Sequence, residues 1–266
     1  MSFWKNKVVI ITGSSIGIGR NIAEQITALE GKVVLNARNE TRLNKAVESM
    51  KSEGKEVFGV VGDVSKYEDC QQIIVQTLTQ YGKIDVLINN AGLASQTMIQ
   101  DIDPSVFQSI FNVNVMGTVF MTKAALPALI ETKGSVLFIG SVAGIHGIGG
   151  YSAYSSSKMA LKGITESLRI ELHDKEVHIG LAYVGFTEND PEKKFLDRDG
   201  NSVSLPNRSN VKQEPVSKVA LRLMKMVENR TNKSVFSPIG KTTYLVHKFA
   251  PWLLKRILLN AFKKTN

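Results

Sequence analysis

A doubly wound α/β fold, one parallel sheet of about seven strands with helices on both faces, is the architecture this chain predicts. Three observations carry that prediction. Strand-like and helix-like runs alternate along most of the 266 residues, as in successive βαβ units. Gly31, Gly54, Gly82 and Gly134 each fall between a helical run and the next strand, where helix-ending glycines belong. The first strand runs into a glycine-rich turn that opens a helix.

The first strand-like run covers residues 7–12, with Val8, Val9, Ile10 and Ile11 as its apolar stretch. Thr12-Gly13-Ser14-Ser15-Ile16-Gly17-Ile18-Gly19-Arg20 follows, and Ile22, Ala23 and Ile26 then recur at helical spacing within 18–30. Strands at 32–37, 56–61 and 84–89 are separated by helical stretches near 40–53 and 67–81. A long helical run at 104–130 precedes a strand at 135–140, and a helix at 152–174 precedes a strand at 177–183. A helix at 215–228 and a short strand at 234–237 complete the alternation. Residues 188–214 break the rhythm: they are polar, contain Asp190-Pro191 and Asp199-Gly200, and read as a long loop. So does the segment from Lys241 to Asn266, where Leu245, Phe249, Trp252, Leu253, Ile257, Leu258 and Phe262 recur at helical spacing. Pro251 should interrupt one helix there or begin a second.

A hydrophobic fraction of 43% and a mean hydropathy of −0.04 describe an ordinary soluble protein able to bury a full core. The single cysteine, Cys70, cannot form an internal disulfide. No cationic leader precedes an apolar run with a cleavage site, so no signal peptide is expected. No uninterrupted apolar stretch approaches the roughly 20 residues of a spanning helix. The net charge is +9, but residues 241–266 hold six Lys/Arg and no acid, leaving +3 for the body. With no nucleic-acid-binding motif beside it, that charge belongs to the tail and no nucleic-acid partner is expected.

Chemistry is concentrated in a few places. Tyr154 and Lys158 stand four residues apart in Tyr-Ser-Ser-Ser-Lys, and Ser141 lies thirteen residues before the tyrosine. On a helix, an i, i+4 pair shares one face, so the ammonium can lie beside the phenol. A phenol with an ordinary pKa of roughly 10 is a poor acid or base at neutral pH, and a fixed cation favours its ionised form. A serine hydroxyl at a strand end could hold a substrate carbonyl oxygen against that tyrosine. The glycine turn has its own logic: Gly13, Gly17 and Gly19 permit a tight bend and let backbone N–H groups approach a pyrophosphate. Farther on, Ile84-Asp85-Val86-Leu87-Ile88 runs into Asn89-Asn90-Ala91-Gly92, and Asn114-Val115-Met116-Gly117 follows. Gly140-Ser141-Val142-Ala143-Gly144 is not a nucleophile elbow, and His146, His173, His178 and His247 lack zinc-ligand spacing, so no metal is expected.

With these four motifs in order over about residues 5–240, the chain resembles the short-chain dehydrogenase/reductase family. The resemblance implies a single Rossmann-type domain at 1–240, followed by a basic amphipathic segment at 241–266. It places Gly13, Ser14, Ser15, Gly17, Ile18 and Gly19 around the cofactor phosphates, and Asp63 with Val64 at the adenine. Asn90, Ala91 and Gly92 would border the ribose and nicotinamide, and Thr187 the carboxamide. Asn114, Ser141, Tyr154 and Lys158 would form the catalytic tetrad, with Tyr154 and Lys158 also touching the cofactor. In this scheme Tyr154 donates or accepts the proton, Ser141 polarises the substrate oxygen, Lys158 assists the tyrosine and Asn114 holds a relay water. Residues 188–214 would form the substrate lid, and the assembly would be a homodimer or homotetramer.

The second strand ends Val33-Val34-Leu35-Asn36-Ala37-Arg38. Where NAD-preferring relatives carry an acid, this chain has Ala37, and Arg38 suits a 2′-phosphate, so NADP(H) is the expected cofactor. Two positions depart from the family pattern: Ile16 replaces a basic residue common in NADP-preferring members, and Val184-Gly185 replaces Pro-Gly after the sixth strand. The expected activity is hydride transfer between nicotinamide and a carbonyl or secondary alcohol of an apolar or lipid-like substrate. Its rivals are a catalytically idle nucleotide sensor and a membrane-surface tether on the same fold. The tail supports either a packed terminal helix or a peripheral membrane contact, its cations facing anionic headgroups. The expected location is the cytoplasm, at the inner face of a membrane if the tail binds one.

Overall fold

A computed structural model describes residues 2–188, 190–205 and 213–265, with the side chains of residues 264 and 265 left out. Residues 189 and 206–212 of the expected lid, and Asn266 of the tail, lie outside the described residues.

The first half alternates as expected: β1 (Val8–Thr12), α1 (Gly17–Ala28), β2 (Lys32–Ala37), α2 (Glu40–Ser52), β3 (Val57–Val61), α3 (Tyr67–Tyr81) and β4 (Val86–Asn89). Then come α4 (Pro104–Phe111), α5 (Gly117–Glu131), β5 (Ser135–Ser141), α6 (Ser152–Glu171), β6 (His178–Val184), β7 (Lys194–Leu196) and β8 (Ser202–Ser204). The chain closes with α7 (Val216–Glu228), β9 (Lys233–Val235), α8 (Pro238–Phe249) and α9 (Pro251–Thr265). The main sheet has seven strands in the order β3-β2-β1-β4-β5-β6-β9, every neighbouring pair parallel. The order reverses direction between β1 and β4. A crevice at the carboxyl ends of those strands is where ligands sit in such sheets.

Burial on both faces explains why the strands read as unbroken apolar runs. Successive residues of β1 point to opposite sides. Val9 and Ile11 join a core with Ile22 of α1, Leu43 of α2 and Leu223 of α7, while Ile10 joins one with Ile73 of α3, Met121 of α5 and Leu161 of α6. Each buried side chain of this size contributes about 1.5–3 kcal/mol.

Three features depart from the sequence reading. The run at 104–130 is not one regular helix: residues Asn112–Met116 form a π turn between α4 and α5. Taken whole, Pro104–Glu131 has the length and hydropathy of a spanning helix, with half its most apolar window buried inside the protein. Within 188–214, β7 and β8 form an antiparallel hairpin where only loop was expected. In the tail, Pro251 begins a second helix as the sequence allowed, but the first, α8, starts earlier, at Pro238, where the Ser237 side chain accepts from the Gly240 N–H. The helical tail therefore begins ahead of residue 241, and β9 ends at Val235 to make room. Both tail helices turn back onto the body: the His247 ring lies 5.3 Å from that of His146, tilted by 31°, and Phe262 crowds Gly149, its ring 2.6 Å from where a Cβ would stand.

Candidate active site

At the end of β1 the chain must turn sharply beneath any bound phosphate. Gly13 takes φ +60°, and a Cβ there would stand 2.8 Å from Ala91 Cα, so no other residue fits. Gly19, on the first turn of α1, lies equally close to a neighbour: its Cβ would meet the Asn90 amide nitrogen at 2.6 Å. That amide donates to the carbonyls of Thr12 and Gly13, both at 2.8 Å, while the Thr12 hydroxyl accepts the Asn90 and Ala91 N–H groups at 3.0 Å. Asn90 thus locks the turn with its side chain. Thr12 was missed as a member of this clasp, although a strand-end hydroxyl beside the first glycine is a readable signal.

Ser14 has a different task from the phosphate contact expected of it. It is fully buried, its hydroxyl donates to Ile11 O at 2.6 Å and accepts from Asn36 N, and its own N–H bonds Asn36 O. It ties β1 to β2. Ser15 and Ile18 are half-buried on the turn, and a Cβ at Gly17, which takes φ +60°, would meet nothing within 4 Å.

At the other end of the crevice, Arg38 and Asp63 extend from the ends of β2 and β3 and pair at 3.5 Å. Burial works against ionisation of Asp63, but the Ser65 hydroxyl and amide and the Arg38 charge outweigh it and hold the carboxyl below its usual range. Val64, next to Asp63, leaves only its backbone to face an adenine. Its side chain is buried against Gly117, so it supports the site from below.

β5 delivers Ser141 to the edge of the sheet, where its oxygen accepts the Ala143 N–H at 3.2 Å and its own O–H remains to donate. On α6, Tyr154 and Lys158 stand one turn apart, the ammonium 6.0 Å from the ring centre. Lys158 is only 6% exposed and donates to Ile139 O at 3.0 Å. Burial, with the Lys193 charge adding to it, pushes its pKa down to about 8. Asn114 sits in the π turn, a distortion that interrupts the regular helical ladder and is frequent at functional sites. Both of its amide protons are engaged, donating to Leu93 O and Ser157 Oγ at 2.9 Å, and its oxygen accepts the Leu93 N–H at 2.8 Å. The side chain therefore clips the segment after β4 to α6. Ser157 was legible in Tyr-Ser-Ser-Ser-Lys only as a spacer; Leu93 had no signal at all.

These elements enclose a cavity of about 270 Å³, lined by Gly17, Asn90, Gly92, Ser141, Tyr154, Lys158 and Thr187. Its remaining wall is largely apolar: Leu93, Ile148, Val184, Phe186 and Phe195, with Lys193 and Lys194 beside them. Tyr151 lines it too, but its hydroxyl donates to Gln96. The loop that lacks the family proline is held another way. Glu188 N–H and Phe186 O pair with the Glu214 backbone, and the Glu214 carboxylate meets Arg222 of α7 at 2.8 Å.

A family model described as short chain dehydrogenase matches residues 7–199. The 11-beta-hydroxysteroid dehydrogenase-like protein 4A of Arabidopsis thaliana is 39% identical over 185 residues, which are 69% of this chain but 62% of that protein's own length. A second Arabidopsis relative, 11-beta-hydroxysteroid dehydrogenase-like 2, is 37% identical over 256 residues, covering 95% of this chain and 80% of the relative. The 3-ketodihydrosphingosine reductase of Bos taurus is 30% identical over 90% of this chain and 72% of its own. Among solved structures, a short chain dehydrogenase/reductase from Burkholderia phymatum in complex with NAD superposes with TM-score 0.82 at 24% identity, covering 95% of this chain and 96% of that one. An alcohol dehydrogenase from Thermococcus sibiricus complexed with 5-hydroxy-NADP gives TM-score 0.76 at 24% identity, covering 87% and 96%. At that identity the two structures speak for the fold.

Proposed function

The chain belongs to the short-chain dehydrogenase family, and we propose that it is an NADP(H)-dependent enzyme acting on a carbonyl or secondary alcohol of an apolar substrate. The observation that carries this reading is the convergence of Ser141, Tyr154 and Lys158 on one cavity that opens beside the glycine turn. The turn fits a dinucleotide: Gly13 has no room for a side chain, and the Gly17 N–H at the amino end of α1 already holds an anionic oxygen, that of Asp190. A nicotinamide bound there supplies or accepts the hydride. The chain's own residues do the rest. Ser141, its oxygen fixed by Ala143 N–H, directs its O–H at the substrate oxygen. Tyr154 gives that oxygen a proton in reduction and removes it in oxidation. Lys158, held by Ile139 O, places its ammonium beside the ring and toward the ribose. Asn114 positions rather than reacts, since its amide bonds hold Leu93 and Ser157 in place.

Arg38 supports NADP(H) over NAD(H), because it is the exposed cation at the end of β2 and no acid precedes it. The apolar wall supports a hydrophobic substrate, as do relatives named for hydroxysteroids and 3-ketodihydrosphingosine. Contact with a membrane surface is supported by the tail, where Phe249 is 73% and Trp252 68% exposed among cations and no acids. The test is NADPH oxidation against a panel of steroid, long-chain and small ketones. Tyr154→Phe should lower turnover at least about a hundredfold while NADPH still binds, since proton transfer by a placed side chain is worth about 10²–10⁴-fold. No turnover on any ketone by the intact protein would favour a nucleotide sensor instead.

A further inference from the structure

The amino end of α1 has no cap of its own. Ile16 at the cap position offers no side-chain acceptor, and the first turn holds no acid. Four N–H groups at a helix start lack partners within the helix, and the macrodipole favours an anion there. The anion comes from far away in sequence. Asp190, in the loop after β6, accepts the Gly17 N–H on Oδ2 at 2.9 Å. Its other oxygen accepts the Glu192 N–H at 2.9 Å, and its carbonyl accepts the Lys193 N–H at 3.0 Å, so the carboxylate is aimed by a local turn. Two residues on, Glu192 reaches Arg42 of α2 at 3.7 Å. Arg42, on the first turn of α2 and four residues after Arg38, has a buried Nε with no hydrogen-bond partner among the described residues.

Asp190 thus occupies a donor at the amino end of α1, and Glu192 a cation near the end of β2. We propose that the strap Asp190–Glu192 is a built-in competitor of the dinucleotide: Asp190 fills the pyrophosphate position at Gly17, and Glu192 holds Arg42 away from a 2′-phosphate. The proposal rests on the dinucleotide reading of the glycine turn. Asp190 is the stronger half, a charge-assisted bond at a helix amino end; the Arg42–Glu192 pair, more exposed and longer, is the weaker. Binding exchanges carboxylates for phosphates at the same donors. Lys193, Lys194 and Phe195 follow directly on the strap and line the cavity, so the exchange also resets the wall that meets the substrate.

The experiment titrates the full-length protein with NADPH and NADH by nucleotide fluorescence, for the wild type, Asp190→Asn, Asp190→Ala and Glu192→Gln, with melting temperatures confirming folding. Asp190→Ala should bind both nucleotides about five- to tenfold more tightly, which corresponds to a strap engaged about 80–90% of the time. Asp190→Asn, still able to accept from Gly17 but uncharged, should fall between. Glu192→Gln should tighten NADPH about twofold and leave NADH unchanged. Unchanged or weaker binding in both Asp190 variants, with the wild type binding normally, overturns the strap alone. No binding by any of the four proteins overturns the dinucleotide reading and the strap with it.

Discussion

Lys158 shows how one residue holds opposed requirements. In the proposed reaction its ammonium must be charged to assist Tyr154, yet its burial disfavours that charge and brings the pKa to about 8. A cationic group depressed in the folded state binds fewer protons there than when unfolded. Stability from this group is therefore full above the unfolded value of about 10.5 and is lost as pH falls through about 8. In the cofactor-free protein, Lys158→Met should show its largest relative stability below pH 8, with the advantage shrinking by about 3 kcal/mol as pH rises toward 10.5. Chemical denaturation of both proteins across that range reads it; a difference independent of pH would mean the lysine is not desolvated. Arg38 makes the companion prediction. Ala37→Asp with Arg38→Leu should shift preference toward NAD(H) by about tenfold or more, because the new carboxylate repels a 2′-phosphate and accepts from free ribose hydroxyls. Parallel titrations with both nucleotides decide it, and a wild type that already prefers NAD(H) sinks the assignment.

Among the elements, β6 carries the most exacting burial. All seven of its residues are buried, between β5 and the short β9. It begins with His178, whose burial, only partly offset by the Thr231 backbone, pushes the imidazole down to about 4. The unfolded chain takes up this proton near 6.5 and the folded one near 4. Stability is thus complete above 6.5 and lost as pH falls to 4, by about 3 kcal/mol in all. His178→Gln should flatten that acid limb in urea melts; an identical limb in both proteins would place the acid lability elsewhere. The π turn makes a contrasting point about elements. A regular helix through 104–130 was the natural reading of its apolar pattern, and the extra residue per turn follows from a demand the pattern does not contain, the placing of Asn114 against Leu93 and Ser157.

For the molecule as a whole, the open matter is what the two tail helices serve. They pack on the body through Leu254, His247 and Phe262, the last beside Gly149 on the loop that borders the cavity. The rest of their apolar surface faces outward: Ile239, Leu245, Phe249, Trp252, Ile257 and Leu259 are each between 48% and 73% exposed. A tail bound to a bilayer would bring the Gly149 loop, whose Ile148 and Tyr151 line the cavity, toward the membrane. The protein should sediment with phosphatidylserine vesicles at low salt and be released by high salt. Phe249→Ser with Trp252→Ser should weaken that binding at least about tenfold with little change in melting temperature, since both side chains are exposed. Truncation near Gly240 is a poorer test than these substitutions, because it cuts α8 within its first turn. Failure of the intact protein to sediment even at low salt would make the tail a packing element.

What was legible by itself came from local order. Alternating periodicities, helix-ending glycines and the glycine turn predicted seven strands and their helices, because period and turn chemistry are properties of neighbouring residues. The spacing of Tyr154 and Lys158 was readable for the same reason, one helical turn being a local ruler. Other assignments waited for distant parts to meet. Ser14 and Val64 carry motif positions yet point into the interior, a choice made by the strands packed against them. Glu214 stands in for a missing proline from 28 residues away, as its pairing with the Phe186 segment shows. Asp190 caps a helix 173 residues earlier in the chain. Such contacts are set by where whole elements dock, and docking depends on the summed fit of buried surfaces rather than on any pattern along the chain.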